Sequence, residues 1–261
     1  MTITDTIVLG IVQGLTEFLP VSSSGHLQLA QYFLGFQDLH RYILFDLFCH
    51  LGTLLAIVVI FFPSIRGLFK EQRIKLWQVA IGTLPLFPLV ALLKPIKAVY
   101  ADPAYLGGFF LLTAFILFLG IRFGKTRPDK TNSQNESLTG AFLIGLCQAL
   151  AILPGVSRSG STISGARLLG WKPQEAVVFS FLLAIPAILG GTTLEIFKLW
   201  QDPDIAISIP SMQYALGFAI SFATGLGALK LLVYTAMQDK FSYFAWYCLF
   251  LGLATTAYFH L

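Results

Sequence analysis

The sequence predicts an all-α integral membrane protein built as an inverted-topology repeat, on three observations. Only 11% of the 261 residues are charged and 56% are hydrophobic, whereas soluble domains carry about 25% charged residues. Six stretches are long and apolar enough to cross a bilayer, which takes about 20 residues. One motif is written twice. Gly10–His26 reads G-I-V-Q-G-L-T-E-F-L-P-V-S-S-S-G-H, and Gly145–Ser161 reads G-L-C-Q-A-L-A-I-L-P-G-V-S-R-S-G-S. Gly10, Gln13, Leu19, Pro20, Ser22, Ser24 and Gly25 align with Gly145, Gln148, Leu153, Pro154, Ser157, Ser159 and Gly160, with one gap before the proline and the register restored after it. Ten residues beyond each S-x-S-G glycine stands the same pair, Leu34–Gly35 and Leu169–Gly170.

Each motif is a short apolar run, a proline, a Ser/Gly loop and a second short apolar run. Runs of about 10–14 residues suggest re-entrant segments rather than spans. Non-helical backbone at membrane depth is tolerated only inside protein or beside a wet cavity. A first repeat over 1–125 therefore holds a re-entrant helix–loop–helix hairpin near 5–36 and transmembrane helices near 43–62, 76–93 and 104–121. A polar linker, 126–137, leads to a second repeat over 138–261, with a hairpin near 138–170 and spans near 176–195, 212–230 and 241–260. Three spans per half insert the second half upside down. Broken helices meeting at such an interface are where sites lie, so the two Ser/Gly loops are expected to meet inside the protein.

Orientation follows from Lys and Arg in the short loops. Arg66, Lys70, Arg73, Lys75, Arg122, Lys125, Arg127, Lys130, Arg167, Lys172 and Lys240 gather on one side; Arg41, Lys94, Lys97 and Lys198 lie on the other. The first side is cytoplasmic on this count, so both termini and the mouth of the first hairpin face outward, with Asp202–Pro210 an acidic outer loop. The net charge of +4 is modest and offers no basic face to neutralise a nucleic acid. Cys49, Cys147 and Cys248 are far apart in apolar stretches, which fits buried thiols better than a disulfide or metal set. The N-terminus lacks a basic region and a cleavage site, so no removable signal peptide is expected.

Glu17 lies in an apolar run, one helical turn after Gln13 on the same face. An ionisable group at membrane depth points to function; the competing reading is a helix-end carboxylate reaching interfacial water. Pro20 ends the helix, and Ser22, Ser23, Ser24, Gly25 and His26 follow. The serines can simply cap the next helix. They can also frame an anion site, and a serine within reach of a histidine is a nucleophile–base candidate. Ser157, Arg158, Ser159, Gly160, Ser161 and Thr162 repeat this geometry with a cation. Arg158 is suited to a phosphate, or to a salt bridge with Glu17 across the repeat interface. Asp46 and His50, four apart in the first span, form either an outer pair supporting the site or a mutual hydrogen bond. Gly107–Gly108, Gly190–Gly191, Gly225 and Gly227 suit helix packing. A carboxylate, a Ser/His cluster, a buried arginine and two amide-rich loops suggest phosphate chemistry, on a lipid given the bilayer setting.

With E-F-L-P-V-S-S-S-G-H and P-G-V-S-R-S-G-S-T-I-S-G, together with F-D-L-F-C-H-L-G-T-L-L-A at Phe45–Ala56, the chain resembles the undecaprenyl-diphosphate phosphatase family, also called bacitracin-resistance proteins. The resemblance covers essentially the whole chain. It implies hydrolysis of undecaprenyl diphosphate to the monophosphate and phosphate, recycling the cell-wall carrier lipid in the bacterial inner membrane. It implies a supporting divalent cation, magnesium or calcium, with Glu17 as a ligand. By position, the family's (Glu/Gln)-x-x-x-Glu pair is Gln13 and Glu17, its catalytic serine Ser23, its histidine His26 and its phosphate-binding arginine Arg158. Gln13 stands where many members have Glu, which weakens any mechanism that needs two carboxylates for a metal. The lipid phosphatases resembling acid phosphatases are excluded, because Gly160–Leu169 lacks their His and Asp.

The expected mechanism has Arg158 and the loops (Gln13, Ser22, Ser24, Gly25, Ser157, Ser159, Gly160, Ser161, Thr162) hold the phosphates. Ser23 attacks or positions water, and His26 shuttles the proton. Glu17 orients His26 or holds the metal, and Asp46 and His50 support the site. Membrane lipids are the other expected partner; a homodimer is left open. A lipid or anion transporter on the same repeat is the alternative, but it needs no Ser/His/Glu cluster on one loop only.

Overall fold

The computed structural model describes residues 1–36, 39–70, 72–90, 102–124, 137–202 and 209–260. Among the described residues the regular structure is helical, with no strand. The first helix, Ile3–Phe18, opens with a capping box: Asp5 N–H donates to Thr2 Oγ1 at 3.1 Å, and Thr2 N–H donates to the Asp5 carboxylate at 2.6 Å. It stops before Pro20, and Ser22 caps the next helix, Ser23–Phe33, by accepting from Gly25 N–H. That helix closes on Gly35 at φ 81°, with Phe36 N–H donating to Gln31 O, the αL glycine ending known as the Schellman motif.

The second motif does the same. Ser137 caps Leu138–Leu150, the chain breaks around Pro154, and Ser157 caps Arg158–Leu168. Gly170 at φ 90° and the Trp171 N–H to Ala166 O bond close it. The sequence repeat is thus a repeat of caps and stops, and in each copy the two short helices pack on each other.

Among the described residues four helices are long and apolar enough to cross a membrane: Ile43–Ile60, Pro103–Phe123, Pro173–Gln201 and Ser211–Met237. Ser242–His260, with 19 residues, is not one of the four. Its Tyr243, Trp246, Tyr247 and Tyr258 make it less apolar. The continuous helix expected near 76–93 is corrected to Arg73–Thr83, a 3-10 turn over Leu84–Leu86 and Phe87–Val90. Pro85 and Pro88 cause the break, since each removes a backbone donor and crowds the preceding turn; 91–93 lie outside the described residues. The expected linker positions 126–136 and loop positions 203–208 lie outside them too.

The halves interlock through small residues. Gly10 and Gly14 on Ile3–Phe18 face Gly217, Ser221 and Gly225 on Ser211–Met237, and a Cβ on Gly14 would stand 2.7 Å from the Ser221 carbonyl oxygen. Close approach of this kind is how helices associate without a hydrophobic driving force. Gly107 and Gly252 join Leu106–Phe123 to Ser242–His260 in the same way. Gly225 and Gly107 therefore pack as expected, whereas Gly108, Gly190, Gly191 and Gly227 meet nothing. Phe181 of the second half lies 5.6 Å from the rings of both Phe18 and Phe61, within a core shared by both halves. Outward, Phe115, Leu231, Trp246 and Phe250 are exposed, as suits a lipid-facing surface. Arg167, counted above as a loop cation, is instead buried. It donates to Asp239 at 2.8 Å and to Gly124 O at 3.1 Å, because a cation removed from water needs partners.

Candidate active site

The two proline breaks touch. A Cβ on Gly160 would lie 3.4 Å from Pro20 Cβ, and one on Gly25 would lie 3.0 Å from Gly155 Cα. Ser159 Oγ donates to Leu19 O at 3.2 Å. Each break is held from outside. Thr113 Oγ1 donates to Gly155 O at 2.8 Å and accepts from Ser157 N–H at 3.0 Å. Cys248 Sγ donates to Pro20 O at 3.7 Å.

Glu17 lies at the junction, 7% exposed. Arg158 Nη2 donates to its Oε1 at 2.7 Å. Ser23 Oγ donates to its Oε2 at 2.7 Å, and Gln13 Nε2 donates to the same oxygen at 3.1 Å. His50 Nε2 stands 3.7 Å from that oxygen. A buried carboxylate is costly unless its charge is met by donors, and these side chains meet it. The ion pair expected as one reading of Arg158 is therefore present. Arg158 keeps capacity beyond it, because its Nη1 is buried with no hydrogen-bond partner.

His26 does not join this group. Its Nδ1 bonds the Ser22 carbonyl at 2.7 Å, and its Nε2 bonds the Tyr247 hydroxyl at 2.7 Å. Tyr247 stacks on its ring at 5.7 Å and 11°, and Phe110 meets its edge at 5.2 Å. The expectations that Glu17 orients His26, and that His26 pairs with Ser23, are corrected: the imidazole beside Glu17 belongs to His50. Both ring nitrogens of His26 are engaged elsewhere. Asp46 and His50 make no side-chain hydrogen bond to each other. His50 Nδ1 donates to the Asp46 backbone O at 2.8 Å, and the Asp46 carboxylate accepts from Gln31 Nε2 at 3.2 and 3.3 Å.

The remaining loop residues divide into caps and open groups. Ser22 and Ser157 accept from Gly25 and Gly160 N–H as caps. Ser24 pairs with Ser22, and Ser159 pairs with Ser157. Thr162 Oγ1 bonds Ser180 of the Pro173–Gln201 helix at 2.6 Å, which is packing rather than ligand contact. Ser161 Oγ, Gln13 Oε1 and both amide atoms of Gln148 are buried without partners, so hydrogen-bonding capacity remains around both breaks.

The step from proline to capping serine is one residue longer in the second break, Pro154 to Ser157, than in the first, Pro20 to Ser22. The second has Gly155 at φ 85°, while the shorter first one puts the left-handed turn on Ser22 at φ 74°. A non-glycine residue there is strained, at a cost of about 1–3 kcal/mol. Among the described residues no cluster of three metal-binding side chains occurs. Glu17, the unpartnered Gln13 Oε1 and His50 are the donors on hand.

Sequence reasoning missed Thr113 and Tyr247. A threonine inside a span, and a tyrosine in an aromatic-rich helix of the kind that lines membrane interfaces, carry no local signal of a site.

The family model described as bacitracin resistance protein BacA matches residues 6–254. An undecaprenyl-diphosphatase of Protochlamydia amoebophila (strain UWE25) is 53% identical over 264 residues, covering 100% of both chains. Proteins of the same name from Rhodopirellula baltica and Parabacteroides distasonis are similar as well. The first is 39% identical over 251 residues, covering 95% of this chain and 94% of its own. The second is 35% identical over 266 residues, covering 97% of each.

Proposed function

This chain belongs to the bacitracin resistance protein BacA family, and on that premise we propose that it is a membrane undecaprenyl-diphosphatase, releasing phosphate from undecaprenyl diphosphate and so recycling the cell-wall carrier lipid. The observation that carries the chemistry is Glu17 bonded at once to Ser23 and Arg158, one from each break.

Ser23 Oγ attacks the terminal phosphorus while Glu17, at 2.7 Å, takes its proton. The bond from that phosphorus to the bridging oxygen breaks, and undecaprenyl phosphate leaves. Water then attacks the phosphoserine, phosphate departs, and the serine hydroxyl is regenerated. One water is consumed and one phosphate formed. The planar fork of Arg158, with Nη1 unpartnered, grips the phosphoryl oxygens and stabilises the charge that develops on them.

The divalent cation stays within the proposal. Glu17 and Gln13 Oε1 would hold it, and its charge would offset that of the diphosphate. Gln13 gives a neutral donor in the place of a second carboxylate.

The re-entrant, inverted arrangement belongs to the same reading, supported by the matched caps and the touching breaks. The Lys/Arg balance of the loops supports an outer position for both termini and the site mouth. Reaction of an impermeant thiol reagent on intact cells with a cysteine placed near Asp202 checks this; silence there with labelling at 126–137 reverses the orientation. The transporter alternative gains no observation, since moving a lipid needs neither Ser23 nor its contact with Glu17.

The direct experiment gives the purified chain in detergent undecaprenyl diphosphate, with and without magnesium, and follows phosphate. Catalytic release is expected. A folded protein that binds the lipid yet releases none removes the phosphatase reading.

A further inference from the structure

His26 makes no hydrogen bond or ion pair with Ser23 or Glu17, yet it stands three residues from the proposed nucleophile with both ring nitrogens bonded and two aromatic rings against it. What it does hold is the Ser22 carbonyl, through Nδ1 at 2.7 Å. A carbonyl only accepts, so Nδ1 carries the proton. When the ring is neutral, Nε2 then accepts from the hydroxyl of Tyr247. Ser22 is the residue in the left-handed conformation, at φ 74°. Such strain persists only where surrounding contacts over-determine it. Its peptide continues directly into Ser23, whose hydroxyl must point at Glu17.

Tyr247 is itself well placed. Its neighbour Cys248 is fully buried and bonded to Pro20 O, and Gly252 locks the same helix against Gly107. The C-terminal helix of the second half is therefore docked on the first break at the point where its tyrosine meets His26.

We propose that Tyr247 is a positioning residue: by hydrogen bond and stacking it fixes His26, which pins the Ser22 carbonyl and thereby aims the Ser23 hydroxyl at Glu17. On this chain of contacts His26 serves as a brace, held in place by a residue 221 positions away. The inference rests on the hydrolase reading above, and it adds to that reading a residue with no contact to the reacting groups.

The test compares wild type, Tyr247→Phe, His26→Gln and the double variant, purified as full chains and assayed for phosphate release from undecaprenyl diphosphate. Phenylalanine keeps the stacked ring and removes only the hydroxyl. Tyr247→Phe is expected to lower kcat about tenfold or more, the size of one well-placed hydrogen bond to a working group, with KM within about twofold and thermal stability retained. Residues acting as one unit are non-additive, so Tyr247→Phe should add no further loss once His26 is Gln.

Wild-type kcat in Tyr247→Phe, or equal fold losses in both His26 backgrounds, would overturn the proposal while leaving the phosphatase intact. A wild type without activity would instead remove the hydrolase reading itself. Should His26→Gln be too slow to measure, nitrogen-15 spectra of labelled histidine decide. His26 is expected in the Nδ1–H tautomer in wild type and in a mixture in Tyr247→Phe; an unchanged spectrum contradicts the proposal.

Discussion

Glu17 concentrates the chemistry in single atoms: one carboxylate oxygen takes the arginine, and the other takes the serine and the glutamine. Glu17→Gln keeps the shape and an acceptor for Arg158 but removes the carboxylate proposed to receive the serine proton. Turnover is expected to fall about a hundredfold or more, the scale of a lost general base, with helix content and gel-filtration behaviour retained. Near-normal phosphate release from that variant would return Glu17 to a structural partner of Arg158. At this scale the sequence is informative where cost is informative. A glutamate and an arginine in apolar runs, each in a copy of one motif, stand out because burying them is expensive. His26 and Tyr247 do not stand out together, because their meeting depends on how the last helix docks on the first break. His50 reaches Glu17 only because Ile43–Ile60 packs beside Ile3–Phe18.

Elements follow their local chemistry closely. Proline and glycine set the stops, serines set the caps, and the two motifs obey the same pattern down to Gly35 and Gly170. Where composition alone decided, the outcome differs: the apolar stretch near 76–93 is broken at Pro85, since hydropathy does not weigh a missing backbone donor. The Gly10–Gly14 ridge shows how close two elements can stand. Gly14→Val puts branched carbons where even one Cβ would press on the Ser221 carbonyl and the Thr224 side chain. Overpacking of this kind costs about 1–3 kcal/mol, so the melting temperature in detergent should drop by about 5 °C. An unchanged melting temperature would mean that the two helices separate without cost.

The whole molecule makes its site between halves. Ile3–Phe18 of the first half crosses Ser211–Met237 of the second, Thr113 of the first half clamps the second break, and Cys248 of the second half clamps the first. The duplicated motif made a meeting of the two breaks legible; which atoms touch was not, since that depends on helix crossings with no sequence-local trace. The asymmetry of the copies is what the proposed chemistry rests on: opposite Ser23 in the repeat stands Arg158, so equivalent positions supply the proposed nucleophile and a cation. Arg158→Lys keeps the charge and an ion pair with Glu17 but loses the fork that can hold two phosphoryl oxygens. The most direct measurement is steady-state phosphate release by folded Arg158→Lys beside wild type on undecaprenyl diphosphate. A junction that grips the transferring phosphoryl predicts a kcat lower by about a hundredfold or more, whereas near wild-type turnover would contradict a shared catalytic site and leave Arg158 as a strut between the halves.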